Sequence, residues 1–225
     1  MKAMPLMGVR SVTMQETRRR VERRLKRVGI EPPAVALDQL VDYLLLLERW
    51  NVRMNLTALE RPDDAVDRLL VEPLLASREI SEHSASLIDI GSGGGSPAIP
   101  LKIIRPDLAL TMVEAKTRKS VFLREVVRHL GLTDCQVETV RFEQLLARTA
   151  YLETMDILSI RAVRVEAKEL RTFQAFLAPG GQMLWFMSGS QAVPMIPPPL
   201  TLVTILPLVE SLRSQVVLLR KQHFG

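Results

Sequence analysis

From Leu87 onward, short apolar runs alternate with segments whose apolar positions recur every three or four residues; before Leu87 only the second period occurs. Val21, Leu25 and Val28 keep helical spacing until Gly29 and the Pro32-Pro33 pair interrupt it. Leu37, Leu40, Val41, Leu44 and Leu47 line one face of a second helix that runs to about Met54. A third helix opens at Asp63 or Asp64, carries Val66, Leu69, Leu70, Leu74 and Leu75, and is expected to kink at Pro73. Ser81 to Ser86 form a polar linker. The apolar runs read as strands at Leu87 to Ile90, Leu108 to Val113, Gln136 to Val140, Asp156 to Ile160 and Gln182 to Met187. Helices fill the gaps near Pro97 to Ile104, Thr117 to Leu130, Phe142 to Ala147 and Glu166 to Leu177, the last stopped by Pro179-Gly180-Gly181. Leu200 to Leu206 and Ser214 to Leu219 then suit an antiparallel hairpin. Such alternation predicts an α/β protein: a doubly wound, Rossmann-like, mainly parallel sheet with a C-terminal antiparallel hairpin and an N-terminal helical cap. The expected division is a basic cap over residues 1–82 and a sheet domain over 83–225.

Composition narrows the class of protein. With 225 residues and 47% hydrophobic residues, the chain can bury a large core. No uninterrupted apolar stretch approaches the roughly 20 residues of a membrane span, and Val193 to Val209 is broken by five prolines, so no membrane role is expected. Cys135 is the only cysteine, which excludes an internal disulfide and fits a reducing, cytoplasmic setting. His83, His129 and His223 have no ligand-like spacing, so no metal is expected. Nothing demands more than a monomer. The net charge of +5 is unevenly spread: residues 1 to 30 hold nine basic residues, among them Arg18, Arg19, Arg20 and Arg23, against Glu16 and Glu22. A basic segment on a nearly neutral body is either a nucleic-acid footprint or a solvated helical face.

The chemistry is concentrated in Leu87 to Leu101, where an apolar run delivers Asp89 into Gly91-Ser92-Gly93-Gly94-Gly95 and then Pro97. A dinucleotide fingerprint would need glycine at Ser96 and would hold a pyrophosphate on the helix N-terminus. S-adenosylmethionine has no phosphate and carries a charged amino acid end, for which an acid at the strand's end and a glycine loop are suitable partners. The next run ends at Glu114, placed to accept from ribose hydroxyls, although Lys116 or Lys119 could instead pair with it. Arg141, Phe142 and Glu143 follow the third strand, where an adenine would rest and a backbone N–H could reach its edge. Cofactor contacts are thus expected from Asp89, Gly91, Ser92, Gly93, Gly95, Glu114, Arg141, Phe142, Glu143 and Arg161.

Trp50-Asn51, Met54-Asn55-Leu56-Thr57, the run Asp89 to Leu101, Glu114 followed by Lys119, Phe122-Leu123 and Arg161-Ala162 resemble, in order, the ribosomal RNA small subunit methyltransferase G family, also called glucose-inhibited division protein B. The likeness spans Leu37 to Met187. It implies methyl transfer from S-adenosylmethionine to nitrogen-7 of a guanine in 16S ribosomal RNA, with naked RNA or the small ribosomal subunit as partner. RNA contacts are then expected from Arg18, Arg19, Arg20, Arg23, Asn55, Arg68 and Lys119. Three positions depart from the family pattern: Leu69 follows Arg68 where His is usual, Ser96 precedes Pro97 where many members have Phe, and Ser188 precedes Gly189 where Lys is common.

Guanine nitrogen-7 has a free lone pair and no proton, so its attack needs alignment rather than a general base. Arg161, after the fourth strand, is the expected catalytic contact, because its fork of donors matches guanine's acceptor edge or a phosphate; pairing with Glu166 or Asp156 would make it scaffold instead. Ser159-Ile160-Arg161-Ala162 replaces the Asn/Asp-Pro-Pro-aromatic motif of amino-group methyltransferases, and Cys135 lies away from the strand ends where a carbon-5 nucleophile would sit. Trp50 is read as an anchor of the cap helix. The alternative function is an RNA-associated protein that keeps the donor pocket with weak or lost transfer.

Overall fold

The computed structural model describes residues 14–54, 56, 61–161, 165–188 and 192–222; Asn55, Thr57, Ala162 and Gly189 lie outside the described residues. Helix α1 (Met14–Arg27) buries Thr17, Val21 and Leu25, one residue per turn. Helix α2 (Ala34–Met54) buries Leu40, Val41, Tyr43, Leu44 and Leu47. The third segment is α3 (Pro62–Val66), a π-helical turn (Asp67–Val71) and α4 (Glu72–Ala76). Pro73 has no N–H for the Leu69 carbonyl four residues back, and the π-helical turn just before it is the irregularity expected of a proline inside a helix.

The sheet holds β1 (Ser86–Ile90), β2 (Ala109–Val113), β3 (Cys135–Glu138), β4 (Met155–Arg161), β5 (Leu177–Ser188), β6 (Leu200–Pro207) and β7 (Ser214–Lys221). Their order is β3-β2-β1-β4-β5-β7-β6, with β7 antiparallel to both neighbours and the other pairs parallel. Between strands lie α5 (Ala98–Ile104), α6 (Thr117–Leu130), α7 (Phe142–Leu145) and α8 (Ala167–Phe173). Helix α8 stops before the expected Leu177, because Pro179-Gly180-Gly181 is a bulge inside β5: Leu177 pairs with Met155 and Gln182 with Ile157.

Strand alternation sorts the core into two layers. Ile88, Ile90, Leu158 and Ile160 face one side with Leu170, Phe173 and Trp185. Leu87, Met112, Ile157 and Leu184 face the other, in one apolar cluster with Ile99 and Phe122 and with cap residues Val21, Leu25, Leu40, Leu47 and Leu70. Trp50 anchors α2 to α6 through Phe122, with ring centroids 5.5 Å apart. The cap and one face of the sheet thus share a single core. Among the described residues no helix is long and apolar enough to cross a membrane.

Candidate functional site

Successive strands leave β1 in opposite directions, β2 and β3 to one side and β4 and β5 to the other, which opens a crevice at the carboxyl ends of β1 and β4. Asp89 and Ser159 are register partners across these strands. Alternation aims both, with Arg161, toward the cap. Asp89 is buried; Ser159 Oγ donates to its Oδ1 at 2.5 Å, while Oδ2 is buried without a hydrogen-bond partner among the described residues. Burial raises the Asp89 pKa to about 6 against the opposing hydrogen bond from Ser159.

The glycine loop is held from three sides. Gly93 N–H donates to Glu114 Oε2 at 3.0 Å, and Lys116 N–H donates to Glu114 Oε1 at 2.8 Å. Glu114 therefore pairs with backbone N–H groups of the loop and of its own turn, not with lysine ammonium groups. Tyr43 Oη donates to the Gly94 carbonyl at 2.6 Å, and burial drives its pKa upward. Ser96 Oγ donates to the Leu69 carbonyl at 2.9 Å. Pro73, four residues beyond Leu69, has no N–H to offer that carbonyl, so the serine at the departing position supplies a donor that the cap helix lacks. Leu69 itself is buried in the shared core. Ser96→Ala is expected to cost about 1 kcal/mol, a melting-temperature loss of roughly 2–4 °C. An unchanged melting temperature would mean that the carbonyl is served otherwise.

Among the described residues, the space where a Gly93 side chain would stand is bounded only by the Gly91 carbonyl at 3.6 Å and Lys119 Nζ at 3.8 Å. A ligand can approach the backbone there, and Lys119 overhangs the loop. Arg141 and Glu143 are exposed at the start of α7, on the same carboxyl edge, and Phe142 packs on Phe173 with centroids 5.0 Å apart. A Gly93 position with room beside it and a buried carboxylate oxygen without a partner, both among the described residues, together with a second acid ending β2, fit a donor with a charged amino acid end and a ribose.

Among the described residues, the ion pair shown for Arg161 is with Glu72 rather than with Glu166 or Asp156. Its Nη1 donates to Glu72 Oε2, its guanidinium lies 4.4 Å from the Phe186 ring centroid, and Nε and Nη2 are buried without partners among the described residues. Burial, aided by neighbouring Arg68, lowers its pKa against the pull of Glu72 and Asp89. Arg68 Nε is likewise buried and without a partner among the described residues. Glu72, Tyr43, Ser159 and Phe186 were not singled out by sequence. The available signal for Glu72 was a lone acid among Leu69, Leu70, Val71 and Leu74 on a helix facing the core.

The basic helix is less free than its charge suggests. Arg18 pairs with Asp38 and Glu22, Arg20 with Glu16 and Asp63, Arg23 with Asp63, and Arg24 with Asp67. Arg19, Arg23, Lys26 and Arg27 share one exposed stripe of α1 at three- and four-residue steps.

This topology, with an acid-ended first strand, a glycine loop and an acid ending the second strand, defines the chain as a Rossmann-like methyltransferase. Solved structures agree on the fold: a SAM-dependent methyltransferase from Aquifex aeolicus is 14% identical with a TM-score of 0.52, the alignment covering 74% of this chain and 96% of that one. A variant of MtNAS in complex with S-adenosylmethionine is 10% identical with a TM-score of 0.56, covering 96% and 86%. Sequence comparison is more specific. The GidB pattern, rRNA small subunit methyltransferase G, matches residues 36–193. Proteins named ribosomal RNA small subunit methyltransferase G are 33% identical over 77% of this chain and 79% of their own length in Ralstonia nicotianae, and 38% identical over 73% and 74% in Stenotrophomonas maltophilia. In Xanthomonas axonopodis pv. citri the figures are 41%, 64% and 66%. The chain belongs to the rRNA small subunit methyltransferase G family.

Proposed function

We propose that this protein transfers the methyl group of S-adenosylmethionine to nitrogen-7 of a guanine in 16S ribosomal RNA, in the cytoplasm. The observation that carries the reading is Asp89: a buried carboxylate at the crevice, beside the glycine loop, with one oxygen fixed by Ser159 and the other without a partner among the described residues. Asp89 would hold the donor's ammonium and Glu114 its ribose, while the Arg141–Glu143 turn would border the adenine. When bound, the donor supplies an electrophilic methyl on a positively charged sulfur. The protein's own work is to fix the glycine loop through Tyr43, Glu114 and Ser96, to exclude water beneath the cap and to align the acceptor. No proton leaves nitrogen-7 as the carbon–nitrogen bond forms and the carbon–sulfur bond breaks, so no side chain need act as base. The Nε and Nη2 edge of Arg161 is suited to the acceptor's O6 and N7 edge or to its phosphate. The α1 stripe, with Arg68 and Lys119, is suited to the RNA backbone.

Small subunits and 16S RNA from a strain lacking this gene should accept label from tritiated S-adenosylmethionine, and mass mapping should place it on one 7-methylguanosine. Absence of label with the donor shown bound would refute transfer and favour the RNA-associated, inactive alternative.

A further inference from the structure

Arg161 ends β4 pointing into the cap, and three surroundings share its guanidinium. Glu72 takes Nη1, the Phe186 ring lies against the face, and Nε with Nη2 meets no partner among the described residues. Those last two N–H groups form the side edge of the fork, which pairs bidentately with planar or anionic acceptors. A free arginine side chain has many rotamers to lose on ordering. Here Glu72 and Phe186 remove that freedom while leaving one bidentate edge uncommitted.

Glu72 reaches this place because of the π turn. Its N–H donates to the Asp67 carbonyl, five residues back, where an α-helix would bond four back. In an unbroken α-helix these two residues would point about 140° apart. In the π turn they stack along one side, and both side chains are committed: Asp67 to Arg24 of α1, Glu72 to Arg161 of β4. Their side chains are each 2% exposed. Single-turn π bulges of this kind recur at functional sites. Among the described residues Glu72 also uses only one oxygen, Oε1 having no partner there, so it orients the arginine through one contact and leaves the rest of the fork uncommitted.

We infer that Glu72 is the positioning residue of Arg161, holding the Nε and Nη2 edge toward the methyl acceptor. The inference rests on the proposed role of Arg161 at the acceptor. It is tested with full-length Glu72→Gln, Glu72→Asp, Arg161→Lys and the Glu72→Gln/Arg161→Lys double variant, measuring kcat, KM for RNA, affinity for S-adenosylhomocysteine and melting temperature. Glu72→Gln keeps the shape and removes the charge; it should lower kcat about tenfold, within the range known for small misplacements of aligned groups. S-adenosylhomocysteine affinity should stay within about twofold, and Glu72→Asp should recover part of kcat. Arg161→Lys should lose at least as much, since an ammonium cannot reproduce the planar edge, and the double variant should be no worse than Arg161→Lys. Unchanged kcat in Glu72→Gln beside a defective Arg161→Lys would overturn the positioning role and leave the Arg161 reading intact. An active Arg161→Lys with unaltered constants would overturn that reading itself. A Glu72→Gln defect that follows lost S-adenosylhomocysteine binding and a lowered melting temperature would make the ion pair a scaffold only.

Discussion

Asp89→Asn should weaken S-adenosylhomocysteine binding by about 10- to 100-fold, the largest loss expected from any single polar substitution in the crevice. A hydrogen bond to a charged group contributes about 1.5–3 kcal/mol, and each 1.4 kcal/mol is about tenfold in affinity. Asp89 Oδ2 is buried with no partner, so an ammonium placed there would meet an acceptor that nothing in the described protein satisfies. The pH dependence follows from burial, which raises the Asp89 pKa to about 6. Below that value the carboxyl is protonated and the attraction to an ammonium is lost. Affinity should fall as pH drops through 6, by up to about tenfold per unit, and Asp89→Asn should flatten the slope. Stability of the ligand-free protein has the opposite sign. A carboxyl whose folded pKa is raised binds protons more tightly folded than unfolded, so stability declines as pH rises from about 4 to 6. Calorimetric titrations and thermal melts between pH 4 and 8 separate the two trends. Wild-type affinity in Asp89→Asn would place the ammonium elsewhere and remove the observation on which the functional reading stands.

Gly95→Ala should destabilise the fold by about 2–4 kcal/mol. Gly95 has φ +92°, where an L side chain is strained, and an added Cβ would come 2.9 Å from Ile99 Cγ1, 3.3 Å from Leu123 Cδ2 and 3.4 Å from Tyr43 Oη. Backbone strain of this kind costs about 1–3 kcal/mol, and overpacking a full core adds about 1–3. A fall of roughly 5–15 °C in melting temperature is expected for a chain of this size. Gly29→Ala is the control: its φ is +66°, but no described residue lies within 4 Å of the added atom, so only the backbone cost applies. If the two variants melt alike, the glycine loop is not wedged between α2, α5 and α6.

The central strands were legible because β1, β2 and β4 are short, mostly apolar and buried runs, and a buried parallel strand leaves that mark however it is packed. Helix ends were less so. Pro179-Gly180-Gly181 reads locally as a stop signal, yet a register shift beside Met155 turns it into part of β5; only the neighbouring strand reveals that. The π turn was invisible for a similar reason, since its apolar positions also fit an α-helix through Leu70. Asp89, the glycines and Glu114 were readable as a set because they lie next to one another or at the ends of adjacent strands. Glu72, Tyr43 and Ser159 act on the same loop and crevice from 17, 46 and 70 residues away from Asp89, distances that no spacing rule connects. Pairing was not legible from charge either: folding brings Asp38, Asp63 and Asp67 beside Arg18, Arg20, Arg23 and Arg24.

By itself the sequence determined the doubly wound fold and the composition of the glycine loop, because hydrophobic period and the backbone demands of glycine are local properties carried by adjacent residues. The tertiary structure decided which charges remain available. Burial and pairing depend on what packs against each side chain, and so it was the fold that committed most of α1's arginines to acids, left Asp89 Oδ2 without a partner, and set Glu72 against Arg161 with one edge of the guanidinium open.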